Sequence, residues 1–164
     1  MNRADEIQLV KRASLSDTEM ETIREIWNNE YPESLYNTKE EFKKYLATME
    51  TATHYLACKT NGTLCGWLCT FMRDNTLWFV LLVHGNAQRK GIGSQLIHSC
   101  QQDNYELTGW IIDRNKLKKR NGETYPSPMR FYEKLQFHVT EEYKHLPIMV
   151  TRKILWKSES KLNS

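Results

Sequence analysis

Thr76-Leu77-Trp78-Phe79-Val80-Leu81-Leu82-Val83 runs directly into His84-Gly85-Asn86-Ala87-Gln88-Arg89-Lys90-Gly91-Ile92-Gly93-Ser94. The first eight residues are an almost unbroken apolar run. Asp74-Asn75 makes a turn before it and His84 ends it. Continuous apolarity over this length predicts a central strand covered on both faces. Ile92, Leu96 and Cys100 are spaced four apart, which predicts a helix from Ile92 to Cys100. Between strand and helix lies a polar, glycine-bearing turn. Such a junction presents main-chain N–H groups at a helix N-terminus, where the helix dipole adds partial positive charge. The result is an anion site suited to a pyrophosphate. Gly91 and Gly93 would let a ligand approach the backbone closely, and Arg89 and Lys90 would add charge at the rim.

Two other phosphate-binding patterns fit less well. A Walker loop needs Gly-Lys followed by Ser or Thr, whereas Lys90 precedes its glycine. A dinucleotide fingerprint needs a third glycine, and Leu96 stands where it would fall.

Outward from this core, Glu6 to Lys11 alternates as a first strand. Ser16-Asp17-Thr18-Glu19 reads as a capping box opening a helix with Met20, Ile23, Trp27 and Tyr31 on one face. Pro32 marks its end or the loop beyond. A second box, Thr38 to Glu41, opens a helix with Phe42, Tyr45, Leu46 and Met49 as its stripe. His54 to Cys58 and Leu64 to Met72 read as strands joined at the Asn61-Gly62 hairpin turn. Downstream come a strand at Leu107 to Ile112, a polar basic connection, and a helix started by Ser127-Pro128. Met129, Tyr132 and Leu135 share one face of that helix. Two strands follow, Val139 to Tyr143 and Ile148 to Trp156. Helices interspersed in a meander of strands predict an α/β fold with a mixed sheet.

A chain of 164 residues with 40% apolar and 26% charged residues is sized for one domain. We expect that domain to span residues 1–157, with 158–164 a flexible tail. No signal peptide or membrane-length apolar segment is expected, so the chain reads as cytoplasmic with no membrane partner. The four cysteines then read as reduced thiols. Cys65 and Cys69 share parity with Trp67 and Phe71, which places all four on one core face. Their spacing fits no metal motif, so no metal is expected. The net charge of +3 is mild. Arg114, Lys116, Lys118, Lys119 and Arg120 nonetheless crowd one segment, either as a solvated loop or as a patch for phosphates or an acidic partner.

Gln88-Arg89-Lys90-Gly91-Ile92-Gly93 resembles the (Gln/Arg)-x-x-Gly-x-(Gly/Ala) signature of the GNAT family of N-acetyltransferases. Phe131-Tyr132-Glu133-Lys134-Leu135-Gln136-Phe137 is similar to that family's second landmark, FYEKLGF, and the order of elements matches along nearly the whole chain. The resemblance implies a mixed, mostly antiparallel sheet of about seven strands flanked by four helices. It implies acetyl-CoA as acyl donor. Leu82 and Val83 would hold the pantetheine arm through their backbones. The segment from Gln88 through Arg89, Lys90, Gly91, Ile92 and Gly93 to Ser94 would hold the pyrophosphate. Tyr132 would sit near the sulfur. Gln136 replaces the landmark glycine. A left-handed backbone there is unfavourable for glutamine, so a different helix end is expected.

Acyl transfer to an amine needs a neutral nucleophile, a polarised thioester carbonyl and a protonated leaving sulfur. The Val83 N–H could stabilise the oxyanion. A tyrosine stays protonated near neutrality and could donate from Tyr132; Tyr132 reads equally as a core aromatic. His84, Asp113 and Glu30 are the candidate bases, with solvent as a fourth. The loop from Asn115 to Pro126 is long enough to be functional and should border the acceptor cleft or reach the donor's 3′-phosphate. The resemblance also implies that Tyr31 to Thr38 shapes the acceptor site; there Glu33 and Tyr36 beside Glu30 would suit a cationic amine, or else form a solvated connection. The leading reading is an N-acetyltransferase acting on a primary amine of a small molecule or peptide. The alternative is a non-catalytic, CoA-binding regulatory module. A nucleic-acid partner is not expected at this charge. The chain is expected to be a monomer or homodimer.

Overall fold

A computed structural model describes residues 6–88, 90–113, 117–147 and 149–159. Alternating residues form β1 (Ile7–Arg12) at one sheet edge. Ser16 then caps α1 (Asp17–Glu30) and Thr38 caps α2 (Lys39–Ala47), each through a complete capping box with Glu19 or Glu41. In both helices these side chains satisfy donors that a helix start leaves open. Next come β2 (Glu50–Lys59), β3 (Leu64–Arg73), β4 (Thr76–Val83), α3 (Ile92–Asp103) and β5 (Glu106–Ile112). The chain closes with α4 (Met129–Lys134), β6 (His138–Leu146) and β7 (Met149–Lys157).

The seven strands form one sheet in the order β1-β2-β3-β4-β5-β7-β6. All neighbours are antiparallel except β4 and β5, which run parallel. This is the mixed, mostly antiparallel seven-strand sheet with four helices that the family resemblance implied. β4 and β5 pair at Trp78↔Thr108, near the start of each strand. Beyond that point their C-terminal halves carry no shared ladder among the described residues, so the sheet opens there.

Helices cover both faces. Ile23, Ile26 and Trp27 of α1 and Phe42 of α2 pack with Leu56, Trp67, Cys69 and Leu82. Ile92, Leu96, Ile97 and Cys100 of α3 and Tyr132 of α4 pack on the other side with Leu68, Phe79, Leu107 and Ile154. Gly66 of β3 makes room for α3, since a Cβ there would lie 3.0 Å from Leu96.

Several expectations are revised. β3, not β4, is the strand buried on both faces; most of β4 is only half-buried, because β5 diverges from it. Cys65 lies opposite Trp67, Cys69 and Phe71. A bulge between Cys58↔Leu64 and Ala57↔Gly66 inserts one residue and flips its side chain. Gln136 does adopt the left-handed backbone, at φ 70°, so the helix end keeps its shape despite the lost glycine. The α4 helix begins one residue later than expected, with Pro128 at its N-cap and the Ser127 hydroxyl accepting from the Met129 N–H at 3.4 Å. Ser158 belongs to the folded body: it is buried and its N–H donates to the Tyr105 carbonyl. The remaining expected tail, 160–164, and Ile148 lie outside the described residues. Among the described residues no helix is long and apolar enough to cross a membrane.

Candidate active site

The end of β4 sets the geometry. The His84 N–H donates to the Cys65 carbonyl across to β3 at 2.8 Å. Antiparallel alternation therefore turns the Leu82 main-chain groups toward β3 as well, and those of Leu81 and Val83 toward the opening beside β5. The expectation for Leu82 is revised on this ground: Leu81 and Val83 present the outward groups. The Gln88 side-chain amide donates to the Val83 carbonyl at 3.0 Å, and the Tyr31 hydroxyl donates to the Leu81 carbonyl at 3.4 Å. The Val83 N–H faces the same opening.

After β4 the chain makes a short 3-10 turn, Gly85–Ala87, and then starts α3. Gly91 is the N-cap at φ 79°, a left-handed conformation that favours glycine. No side chain caps this helix and no acid lies in its first turn. The contrast with the boxed starts of α1 and α2 is direct. Among the described residues, the first-turn N–H groups of Ile92, Gly93 and Ser94 and the positive end of the helix are left for something else. Lys90 is exposed beside them, while Arg89 lies outside the described residues. Gly93 also serves packing, since a Cβ there would lie 3.0 Å from the Phe131 ring.

On the other side of the β4 end stand α1 and the connection before α4. The buried Asn28 side chain holds the α1–α2 segment, donating to the Asn37 carbonyl and accepting from the Asn37 N–H. Trp27 donates to the Leu35 carbonyl at 2.7 Å. The described part of the basic connection is ordered, although most of its side chains are exposed. Residues 117–125 form a small hairpin, with Lys118 bridging Thr124 and the Tyr125 N–H donating to the Leu117 carbonyl at 2.8 Å. This hairpin docks on the α1–α2 segment through the Pro32↔Lys119 bridge and the Glu33 N–H donating to the Lys118 carbonyl at 2.9 Å. Among its described cations Lys119 pairs with Glu30, while Arg120 lies over the Tyr36 ring and Lys118 donates to Thr124, both remaining exposed. Arg114, Asn115 and Lys116 lie outside the described residues.

Tyr31, Tyr125 and Tyr132 gather between these elements. The Tyr31 and Tyr125 rings are 6.1 Å apart. Tyr132 is buried among Phe79, Phe131 and Phe137 at centroid separations of 5.8, 5.0 and 5.3 Å. Burial pushes the Tyr132 phenol far above its ordinary range, with Tyr125 adding to the effect. Burial likewise raises Tyr31, and Tyr125 and Tyr132 add to that rise.

The three candidate bases stand differently. The Glu30 carboxylate accepts from the Gly85 N–H at 2.7 Å and from Lys119 Nζ at 3.1 Å, so both oxygens are engaged. His84 follows β4, its carbonyl accepting from the Ala87 N–H. Asp113 follows β5, its N–H donating to the Val150 carbonyl. Sequence reasoning named Glu30, Tyr31 and Lys119 separately. It missed their assembly, and it missed Tyr125. Glu30 and Lys119 lie 89 positions apart and share no motif. Among the described residues no group of three or more His, Cys, Asp or Glu side chains could hold a metal ion.

Compared with known families, residues 51–139 match the model for the acetyltransferase (GNAT) domain, a little over half of the chain. The chain belongs to the GNAT acetyltransferase family. As such it is an acetyl-CoA-dependent N-acyltransferase. No curated protein sequence matches it significantly. Solved structures match in fold. An aminoglycoside 6′-N-acetyltransferase complexed with coenzyme A superposes with a TM-score of 0.68 at 12% identity, over 92% of this chain and 96% of that one. A phosphinothricin acetyltransferase from Sinorhizobium meliloti in complex with acetyl-CoA gives 0.60 at 14% identity, over 91% and 88%. A spermidine/spermine N-acetyltransferase from Vibrio cholerae gives 0.63 at 13% identity, over 99% and 98%.

Proposed function

We propose that this GNAT protein transfers an acetyl group from acetyl-CoA to a primary amine, using the open end of β4 as donor site and the Tyr31/Tyr125/Tyr132 side as acceptor site. The observation that carries this reading is the uncapped, acid-free start of α3 behind the left-handed Gly91. Two other helices of the same chain are fully capped, so the open donors at α3 are a local feature of that turn. The residues present fit the donor. The N–H groups of Ile92, Gly93 and Ser94 would take the diphosphate, with Lys90 and Arg89 at its rim and Gln88 fixing the turn against Val83. The outward groups of Leu81 and Val83 would run along the pantetheine arm. The thioester supplies an activated acyl carbon. The chain's own part is to polarise its carbonyl, stabilise the leaving thiolate by a hydrogen bond until it takes up a proton, and bring in a neutral amine.

The Val83 N–H, which faces the opening beside β5, would hold the developing oxyanion. Tyr132 keeps its proton at any working pH, because burial disfavours the phenolate. In this reading its hydroxyl would serve as a hydrogen-bond donor toward the leaving sulfur. Glu30 is committed to Gly85 and Lys119, which leaves His84, Asp113 or solvent to take the amine's proton. Glu30's engagement also lowers the case for a strongly cationic acceptor; the tyrosine-lined wall favours an amine carried on an apolar or aromatic body. The cysteines are all unbridged, which suits the cytoplasm.

The test is thiol release from acetyl-CoA across a panel of alkyl, aromatic and polyamine acceptors, run beside calorimetry with coenzyme A. Binding with amine-dependent release is expected. Binding without release from any amine would leave a CoA-binding module, and absence of binding would overturn the donor site.

A further inference from the structure

Glu30 sits where three separate pieces of the chain meet. It is the last residue of α1, so its backbone belongs to the helix that carries Tyr31. One carboxylate oxygen accepts from the Gly85 N–H, the first residue of the turn that leads to α3. The other accepts from Lys119 of the 117–125 hairpin. Both partners of the ion pair are well covered, with side-chain exposures of 12% for Lys119 and 13% for Glu30. Gly85 is fitted to this arrangement: a Cβ there would lie 2.8 Å from Glu30 Oε2. The hairpin in turn holds the α1–α2 segment through Pro32 and Glu33, and places Tyr125 against Tyr31.

From this we infer that Glu30 is a positioning residue: its carboxylate registers the acceptor-side hairpin against the donor turn, so that filling the donor site steadies the acceptor wall. This rests on the donor site proposed above. The physical basis is simple. A diphosphate bound at the start of α3 fixes the turn that begins at Gly85. Fixing Gly85 fixes the carboxylate it donates to, and a fixed carboxylate holds Lys119. A partly buried ion pair with both partners hydrogen-bonded transmits that restraint better than an exposed one, because water competes for it less. By linkage the effect is reciprocal: a loosened hairpin weakens the grip on the donor. Catalysis gains because the acceptor wall is steadiest when a thioester is present to use it.

The experiment is hydrogen–deuterium exchange of the full chain with and without coenzyme A, read at Gly85 and at Lys119, Gly122 and Tyr125, whose amides are hydrogen-bonded within the site. In the parent, coenzyme A should slow exchange at both the turn and the hairpin. In Lys119→Met it should still bind and slow the turn, while slowing of the hairpin falls by about tenfold or more. Lys119→Arg, which keeps the charge, should restore the hairpin response. Glu30→Gln, which keeps an oxygen for Gly85, should behave as Lys119→Met does. A merely structural pair would change exchange in the hairpin equally with and without ligand. Equal ligand-induced slowing in Lys119→Met and the parent would overturn the inference, as would a parent hairpin indifferent to bound coenzyme A. Failure of the parent to bind coenzyme A would instead remove the donor site, and the inference with it.

Discussion

Burial favours the protonated Tyr132 phenol, so the role proposed for its hydroxyl is that of a donor. Tyr132→Phe retains the ring that packs on Phe79 and Phe137. Turnover should fall by about 10- to 1000-fold while coenzyme A binds unchanged, as steady-state rates beside calorimetry would show. Unchanged turnover would make Tyr132 a core aromatic only. His54 offers a separate test, of stability. Its Nδ1 accepts from the Trp67 indole at 3.0 Å, which requires a neutral ring, and burial holds its pKa below the ordinary value. Protonation is thus easier in the unfolded chain. Stability from this site is full above about pH 6.5 and is lost as pH falls from there toward the lowered folded value. Melting temperatures between pH 5 and 8 should show the decline, and His54→Gln should flatten it. At this scale the sequence identified the right residue types and could not pair them. Glu30 read as a base because a carboxylate near a cleft reads that way. Its commitment to Gly85 and Lys119 is a product of tertiary structure.

Among the elements, α3 differs from α1 and α2 in the way it starts. Ser16→Ala should cost about 1 kcal/mol in denaturant titration and leave coenzyme A binding alone, since that box serves only its own helix. Ser94→Glu should act with opposite signs on two readouts. An acid in the first turn of α3 suits the helix dipole, so stability holds or rises by a few tenths of a kcal/mol. The same charge repels a diphosphate, so affinity for coenzyme A should drop by about tenfold or more. Both capping boxes and the eight residues of β4 were legible because their signals are local in the chain. The bulge at Cys65 was not, since alternation continues through it in sequence and only the pairing with Ala57 and Cys58 reveals the extra residue. Nor was the 117–125 hairpin. Its basic residues resemble a solvated run, and its partners lie at the end of α1.

Over the whole molecule, the proposed site follows from the parting of two neighbouring strands in the sheet. β4 and β5 part after Trp78↔Thr108, and the gap brings the outward groups of Val83, the start of α3 and the tyrosine wall to one place. Element order and family were readable because two motifs, at Gln88–Gly93 and Phe131–Phe137, stand at the right separation. The divergence of the two strands has no residue signature, and the half-buried side chains of β4 are its only trace. The measurement that bears most directly on this account is paired calorimetry with coenzyme A and with pantetheine, which shares the arm and lacks the diphosphate. Gripping by the main-chain donors of α3 predicts that coenzyme A binds and that pantetheine binds at least about a hundredfold more weakly, near 2.7 kcal/mol. Equal affinities for the two, or no heat with either, would contradict it.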